Sequence, residues 1–274
     1  MRDTPPLVLT FAGTDPTGGA GLQADILTLA SLGCHPLSVV TAVTVQDTAG
    51  VEDYLPMEAD WVVDQARRVL EDMPVAALKV GLLGSVEVAL AVAEVASDYP
   101  ELPLILDPVL ASGRGDELVT EELLSVIKEA LLPQTTVLTP NSLEARRLAM
   151  NDALDEEPPE LAACAQRLLD LGCEYVLITG AHEHTPQVVN TLYGEAGVLQ
   201  TLTWERLPSS FHGSGCTLAS ALAACLAMGL DLLEASREAQ AFTHESLRAA
   251  FRAGMGQAIP DRLYWARSGE DGGG

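Results

Sequence analysis

The sequence F-H-G-S-G-C-T-L-A-S-A-L, from Phe211 to Leu222, has the pattern of a phosphate-binding turn that leads into a helix. Gly213 and Gly215 permit backbone conformations that other residues avoid, and they let an anion approach closely. From Cys216 onward we expect a first helical turn whose free amides carry the positive end of the helix dipole. The segment has no lysine, so it is not a Walker A loop. A plain glycine turn before a buried helix is the alternative that this segment alone leaves open.

Composition limits what the protein can bind. The chain has 274 residues, 48% of them hydrophobic, which is enough for a sizeable core. Its formal net charge is -24, with lysine only at Lys79 and Lys128, and this argues against nucleic acid. We see neither a signal peptide nor an apolar run of the ~18 residues that span a membrane. We therefore expect a cytoplasmic protein without nucleic-acid or membrane partners, in which backbone amides, a metal ion and a few arginines hold anionic ligands.

The cysteines suggest neither a disulfide framework nor a zinc site, because they are five in number and form no C-x-x-C motif. Cys34, Cys164, Cys173 and Cys225 resemble small buried hydrophobic residues. Cys216 differs, since it lies at the predicted helix N-terminus within the glycine turn. We expect the helix dipole to favour its thiolate.

Apolar strands alternate with amphipathic helices along most of the chain. The first strand, Leu7–Phe11, precedes a glycine-rich turn and a helix that ends near Gly33. A second strand is expected over Leu37–Val45, with Gln46 at its carboxyl end. The alternation over Gln187–Arg206, with glycines at its centre, predicts a hairpin.

The remaining predicted elements complete an α/β pattern. Strands are expected at Val75–Val80, Leu102–Leu106, Thr136–Leu138 and Tyr175–Thr179, and helices at Ala59–Leu70, Val86–Ala96, Leu118–Leu131, Glu160–Leu171, Cys216–Met228 and Leu232–Phe251. We therefore predict a three-layer α/β/α fold with a mostly parallel central sheet and an antiparallel edge hairpin. A single domain is expected over residues 1–268, followed by a disordered tail over residues 269–274.

Six short motifs, taken together, identify a family. They are A-G-T-D-P-T-G-G-A-G-L-Q-A-D at Ala12–Asp25, T-A-V-T-V-Q-D-T at Thr41–Thr48, K-V-G-L-L-G at Lys79–Gly84, L-D-P-V-L at Leu106–Leu110, L-T-P-N-S-L-E-A at Leu138–Ala145 and H-G-S-G-C-T-L at His212–Leu218. In order and spacing they resemble the bacterial hydroxymethylpyrimidine and phosphomethylpyrimidine kinases of thiamine biosynthesis. The resemblance covers nearly the whole chain. It implies a ribokinase-like fold.

The resemblance also implies an activity. The γ-phosphoryl group of ATP moves, with Mg²⁺, onto 4-amino-5-hydroxymethyl-2-methylpyrimidine and then onto its monophosphate. Relatives are often dimers, so a homodimer is expected. A pyridoxal kinase of the same fold is an alternative, and so is a pyrimidine-binding protein that has lost catalysis.

Ligand-binding roles follow from the motifs. By the resemblance, Gln46 contacts the polar edge of the pyrimidine, with Gly13 and Asp25 nearby. The residues expected to sandwich the ring are Val43, Leu82 and Val109. Asn141 and Glu144 are expected to organise Mg-ATP, with Asp107 near the phosphates and the metal.

The catalytic roles fall on the glycine turn. The amides of Gly213, Ser214, Gly215 and Cys216 are expected to form an anion hole for the transferring group. The Cys216 thiolate is expected to take the proton of the hydroxymethyl group. Because the second phosphorylation starts from an oxygen that is already anionic, it should need Cys216 far less.

Two departures from the family concern the ATP phosphates. Many members have M-K-G-G-H where this chain has I-T-G-A-H, so Thr179 stands beside Gly180 in place of a lysine. Many also have a lysine in the loop where Gly113 precedes Arg114. A lost phosphate contact weakens transition-state binding by ~2 to 4 kcal/mol. In the same region His182 and His184 flank Glu183, and we interpret this segment as a solvated acidic turn rather than a metal site.

Arg114 is the expected substitute for the missing lysine charge, because the acidic chain offers few other cations nearby. Replacing it in the Arg114→Ala variant should then lower kcat/KM for ATP. Steady-state kinetics with varied ATP checks this. An unchanged kcat/KM means that Arg114 does not contact the phosphates.

Overall fold

The computed structural model describes residues 4–111, 118–150 and 157–267. Its strands are β1 (Leu7–Ala12), β2 (His35–Val40), β3 (Ala42–Gln46), β4 (Val51–Pro56), β5 (Val75–Val80), β6 (Leu104–Leu106), β7 (Val137–Leu138), β8 (Tyr175–Ile178), β9 (Gln187–Gly194) and β10 (Gly197–Glu205). Eight of them form one sheet in the order β10-β9-β8-β7-β6-β5-β1-β2. Strands β3 and β4 form a separate antiparallel hairpin.

The helices lie between the strands, as the sequence pattern predicts. They are α1 (Gly21–Ser31), α2 (Ala59–Asp72), α3 (Val86–Ser97), α4 (Glu121–Val126), α5 (Ser142–Ala149), α6 (Leu161–Asp170), α7 (Ser214–Ala227), α8 (Leu232–Arg248) and α9 (Tyr264–Arg267). In the described part of the chain, no helix combines the length and apolar character needed to cross a membrane.

The central sheet is mostly parallel, because β2, β1, β5, β6, β7 and β8 all pair in parallel. The last two strands, β9 and β10, pair antiparallel and form the edge hairpin. The sequence-based prediction of the sheet is therefore confirmed. All the parallel carboxyl ends lie at one edge of the sheet, which is where open α/β sheets bind ligands.

Helices cover both faces of the sheet, and β1 shows why. Leu9 and Phe11 point into a core that contains α2, α3, α5 and α6, whereas Val8 points into a second core that contains α1, α7 and α8. Successive side chains of a strand point to opposite faces, so a strand that is apolar at every position becomes buried on both. Helix α7 is nearly buried throughout, from Thr217 to Cys225.

The predicted strand over Leu37–Val45 is wrong in its extent. The chain leaves the main sheet at Thr41, whose amide donates to Ala12 O at 3.1 Å and whose hydroxyl donates to Leu82 O. Beyond this point β3 pairs with β4, a strand that the sequence analysis missed. Periodicity does not show the break because the apolar residues continue through it; the break depends on the contact with Leu82.

The predicted helix over Leu118–Leu131 is shorter and less regular than expected. It begins after Thr120, whose side chain accepts a hydrogen bond from the Leu123 amide at 3.2 Å. Beyond α4 the backbone widens to a π-helical turn over Ile127–Leu131 and then tightens to a 3-10 turn over Leu132–Gln134. The predicted tail over residues 269–274 lies outside the described residues, and the single domain over residues 1–268 stays a prediction.

Candidate active site

The predicted site residues gather at the carboxyl ends of the parallel strands. Gly13 follows β1, and a Cβ added to it would lie 3.0 Å from the Leu82 side chain after β5. A Cβ added to Gly215, at the start of α7, would lie 3.6 Å from Asp107 Oδ1 after β6. Asn141 after β7 forms a bridge with Thr179 after β8. The fold thus brings segments more than 200 residues apart to one cleft edge.

The glycine turn before α7 has the geometry expected of an anion-binding turn. Gly213 has φ +79°, and a Cβ there would collide with the carbonyl oxygen of Gly19. The first bond of the helix runs from the Thr217 amide to Gly213 O at 3.0 Å, so the amides of residues 214–216 precede it. Gly215 is exposed. These amides therefore lie at the surface, where an anion can reach them.

Asp15 shapes the facing glycine turn. Its carboxylate accepts hydrogen bonds from the amides of Thr17 and Ala20 at 2.8 and 2.7 Å, and it lies 2.9 Å from His212 Nε2. Burial raises the pKa of Asp15, but the bonds from His212, Thr17 and Ala20 outweigh it and lower the pKa below its usual value. Asp15 and His212 thus join the two glycine turns, and both have a shaping role.

Asp25 contacts Lys79 and Ser220 in this structure, and its predicted place near the pyrimidine stays a prediction. Its side chain is fully buried, with Lys79 Nζ at 3.0 Å and the Ser220 hydroxyl, which donates to it, at 2.8 Å. Lys79 is also fully buried and lies 3.8 Å from Asp107 Oδ2. Burial lowers the pKa of Lys79, but the charges of Asp25 and Asp107 outweigh this and raise it. Asp25 therefore holds Lys79 in its charged form beside Asp107.

Cys216 is a thiol in this structure, contrary to the thiolate that the sequence analysis expects. Burial raises its pKa to about 12, and the charges of Asp107 and Asp25 add to this effect. Lys79 acts in the opposite direction, but it does not compensate. The helix dipole alone therefore does not decide the charge of this group, because two carboxylates lie close to it. The residue as a whole is partly exposed, unlike the other four cysteines.

Asp107 and Glu144 form the candidate metal-binding pair. Asp107 Oδ2 is buried and accepts no hydrogen bond from the described residues. Burial raises the pKa of Asp107, Lys79 lowers it and Asp25 raises it again, with a raised pKa as the result. Burial and then the Asp107 charge raise the pKa of Glu144 to about 8. A cation beside these carboxylates would relieve their repulsion.

Two carboxylates match Mg²⁺, which proteins usually hold by one or two carboxylates together with substrate phosphates and water. Within the described ranges, no cluster of three or more His, Cys, Asp or Glu side chains is arranged to hold a metal. Asn141 and Glu144 also have a structural task, because they form a capping box at the start of α5. Glu144 Oε2 accepts from the Asn141 amide at 2.9 Å, which fixes the carboxylate in place.

The hairpin of β3 and β4 carries Gln46. Its side-chain amide donates to Thr44 Oγ1 at 2.7 Å and to Thr14 O at 3.4 Å, and no described residue donates to its Oε1. Thr44 is buried on the same side, whereas Val43 is 46% exposed and lies on the opposite face. The predicted contact of Val43 with the ring stays a prediction, which this orientation does not support. A family motif gives the residue types but not which of two adjacent residues points inward.

The last predicted segment lies after β8. The Thr179 amide donates to Pro140 O at 3.0 Å, and the Gly180 amide donates to Asn190 Oδ1 at 3.1 Å. The sequence analysis missed Arg206, which donates to the carbonyl oxygens of Ala181 and Glu183 at 2.7 and 2.8 Å and so fixes the loop after Gly180. An arginine at the end of a strand gives no sequence signal for this role.

Glu183 pairs with Arg146 through two contacts of 2.6 and 3.0 Å. The hydrogen bonds from Arg146 and Ser142 lower the pKa of Glu183 to about 2. The turn around His182 is thus held by ion pairing and needs no metal. Arg114 lies outside the described residues, so its proposed phosphate contact stays a prediction.

The charge state of Cys216 gives a test that needs no substrate. Only the thiolate reacts with iodoacetamide, so labelling of the folded protein should accelerate about tenfold per pH unit from about pH 7 to pH 10, with no plateau. Labelling followed by mass spectrometry measures this. The Cys216→Ser variant is the control, because the other four cysteines are buried. A plateau near about pH 8 would mean that the thiolate is stable after all.

Comparison with known proteins agrees with this architecture. A kinase from Mycobacterium bovis, named hydroxymethylpyrimidine/phosphomethylpyrimidine kinase, is 41% identical over 95% of each chain. The Salmonella typhimurium protein of the same name is 34% identical over 92% of this chain and 94% of its own. The chain also matches the thiamine biosynthesis bifunctional protein ThiED of Geobacter sulfurreducens at 36% identity, and it spans about half of that protein, 54%.

Solved structures of two kinds share the fold. Pyridoxal kinase from Bacillus subtilis, in an ADP complex, superposes with a TM-score of 0.87 at 26% identity, covering 96% of this chain and all of the other. Phosphomethylpyrimidine kinase from Clostridium difficile has a TM-score of 0.75 at 30% identity, covering 88% of this chain and 99% of the other. The architecture is therefore ribokinase-like. The family model described as phosphomethylpyrimidine kinase matches residues 15–261, and the chain belongs to that family.

Proposed function

We propose that the protein transfers the γ-phosphoryl group of ATP to 4-amino-5-hydroxymethyl-2-methylpyrimidine, and then phosphorylates the monophosphate to the diphosphate. Membership of the kinase family supports this reaction class. The observation that carries the proposal is the partly exposed amide turn at residues 213–216, which includes Cys216 and lies beside Asp107. The pyrimidine alcohol, the γ-phosphoryl group of ATP and the anion-binding amides would therefore meet at this turn.

The pyrimidine binds between the β3–β4 hairpin and the ends of β5 and β6. Gln46 Oε1 has no donor among the described residues, so it suits the amino group of the ring. Leu82 and Val109 are half-buried and supply apolar contacts to the two faces, while Gly13 allows close approach. Thr44 replaces Val43 in this arrangement, because it shares the inward face with Gln46.

Phosphoryl transfer requires positioning and charge neutralisation more than covalent chemistry. The amides of Ser214, Gly215 and Cys216 donate to the oxygens of the transferring group, where negative charge accumulates. Asn141, Thr179 and Gly180 line the nucleotide side. Asp107 and Glu144 hold Mg²⁺, which neutralises phosphate charge when it is bound.

Cys216 serves as the base for the first phosphorylation. At rest it keeps its proton, because burial, together with the charges of Asp107 and Asp25, raises its pKa to about 12. We infer that it becomes a base only in the complete complex, once the Asp107 charge is neutralised and the thiol has released its own proton to water. The alcohol proton then passes to Sγ while the alcohol oxygen bonds to phosphorus and the bond to ADP breaks. In the second reaction the attacking phosphate oxygen is already anionic.

Pyridoxal kinase is the second candidate, because the solved pyridoxal kinases from Staphylococcus aureus and B. subtilis have TM-scores of 0.85 and 0.87. Both rings carry a hydroxymethyl group, so the anion turn and Cys216 would serve either. The two candidates differ in what Gln46 must recognise. Parallel assays with pyridoxal and the pyrimidine alcohol separate them, and a strong preference for pyridoxal would overturn the first assignment.

Mass-resolved product analysis with the pyrimidine alcohol and Mg-ATP should show the monophosphate and then the diphosphate. The Cys216→Ala variant should lose about 10²- to 10⁴-fold in the first step, as expected for removal of a general base, and far less in the second. Cys225→Ala, at a buried cysteine of α7 outside the site, is the matched control. Equal loss in both steps would remove Cys216 from proton transfer.

A homodimer is also proposed, with the outward face of the β3–β4 hairpin as the contact. Val43, Val45 and Leu55 are 46%, 57% and 69% exposed on that face. Two copies with a net charge of -24 repel each other, so an uncharged patch is where they can meet. Sedimentation equilibrium should show a dimer that the Leu55→Asp variant weakens, whereas Leu233→Asp, on exposed α8, does not. A monomeric wild type would contradict this.

We place the protein in the cytoplasm, because its five cysteines are all free thiols, as is typical of a reducing compartment. Cell fractionation with an antibody against the chain checks this location, and recovery outside the cytoplasm would reject it.

A further inference from the structure

Arg262, in the segment after α8, is a buried cation that neither the motifs nor the family resemblance indicates. It is only 2% exposed. Its Nε donates to Thr217 Oγ1 at 3.0 Å, its Nη2 to Gly19 O at 2.6 Å and its Nη1 to Gly18 O at 3.3 Å. A longer contact of 3.5 Å joins Nη2 to Gly213 O. One guanidinium therefore contacts both glycine turns of the candidate site.

None of these acceptors is a carboxylate. A buried guanidinium that lacks an ion pair is costly, because its charge has left water without a direct counter-ion. Burial lowers the pKa of Arg262, and the acidic groups around it, which include Asp25 and Asp15, oppose this shift. An arginine nevertheless stays charged in proteins. Nearby carboxylates, Asp261 among them, act on this charge over a distance, but none of the described ones accepts a hydrogen bond from Arg262 as Asp25 does from Lys79. Its positive charge therefore remains available to the site.

The contacts also fix a peptide plane. The Thr217 hydroxyl donates to Gly213 O at 2.8 Å and accepts from Arg262 Nε, so the Gly213 carbonyl is held on the Arg262 side. In a planar trans peptide the carbonyl and the following amide point in opposite directions. The Ser214 amide therefore points away from Arg262, and a turn of this peptide would remove it from the anion site.

We propose that Arg262 is a positioning residue for phosphoryl transfer: acting through Thr217 and the carbonyls of Gly18, Gly19 and Gly213, it aims the amide turn and supplies positive potential behind it. This inference rests on the proposed function of the turn. It explains how a chain without the family lysines near the ATP phosphates retains a cation close to the transferring group. Arg262 does not touch the substrate.

Guanidinium rescue of the Arg262→Ala variant tests the proposal. We expect kcat to fall about 100-fold, because a small displacement of a catalytic group is enough for such a loss. KM for the pyrimidine alcohol should change little, since the hydrogen bonds of Arg262 to described residues involve none of the residues proposed to bind the ring. Millimolar guanidinium should restore a substantial part of kcat. Urea, which is planar like guanidinium but is uncharged and has a carbonyl oxygen in place of one amino group, should restore less.

Stability is measured in parallel, since a merely structural arginine would lower the unfolding temperature without this pattern. Arg237→Ala is the matched control, because Arg237 is exposed on α8 and pairs with Glu234 and Glu238. A folded Arg262→Ala variant with the kcat of the wild type overturns the proposal. Equal rescue by urea and guanidinium would overturn the proposed role of the positive charge of Arg262.

A second variant covers the case in which Arg262→Ala does not fold. Thr217→Val keeps the shape of the side chain but removes the hydroxyl that links Arg262 to Gly213, leaving only the longer direct contact of 3.5 Å. It should lower kcat by about tenfold or more while leaving KM for the pyrimidine nearly unchanged. Wild-type kcat in Thr217→Val overturns the proposal. The wild-type protein is assayed alongside: if it phosphorylates no acceptor, the proposed function itself fails, whereas an active wild type with active variants rejects only the role of Arg262.

Discussion

The close contact between two glycine turns is the constraint on which the site depends. Gly213 has a backbone conformation that favours glycine, and a side chain there would collide with the Gly19 carbonyl. This contact brings the start of α7 against the turn before α1, so that helical amides face the cleft. A chain with a net charge of -24 attracts no phosphate through its surface. The anion site must therefore be built from backbone dipoles and a few buried cations.

The two buried cations, Lys79 and Arg262, have different roles. Lys79 is placed between Asp25 and Asp107, where it limits the repulsion between carboxylates in the core. Among the described residues, the acceptors of Arg262 are carbonyl and hydroxyl oxygens, and no carboxylate forms a direct ion pair with it. The carboxylates in turn keep Cys216 protonated at rest. The charges of the carboxylates and cations at this site would therefore balance when phosphate and metal are both bound. In the free protein the repulsion between the carboxylates is only partly relieved.

Much of the fold could be predicted from the sequence because it depends on local patterns. The strand after Pro6 and the helix ending at Gly33 were predicted from apolar runs and glycine, and the terminal hairpin from its alternation. The division of Leu37–Val45 could not be predicted, since a hydrogen bond to Leu82 sets it. The role of Asp25 was equally hidden, because its partner Lys79 is 54 residues away. Arg114 stays a prediction.

The sequence by itself determined the residue types at the site, since glycine at 213, cysteine at 216 and the aspartate after β6 are chemical requirements visible in a motif. The charge state and the direction of these side chains, in contrast, depend on the tertiary structure alone. The pKa of Cys216 depends on carboxylates that reach it from α1 and β6, and the inward direction of Thr44 rather than Val43 depends on the pairing of β3 with β4. Electrostatic environment and side-chain direction are properties of neighbours in space, and a linear pattern does not contain them.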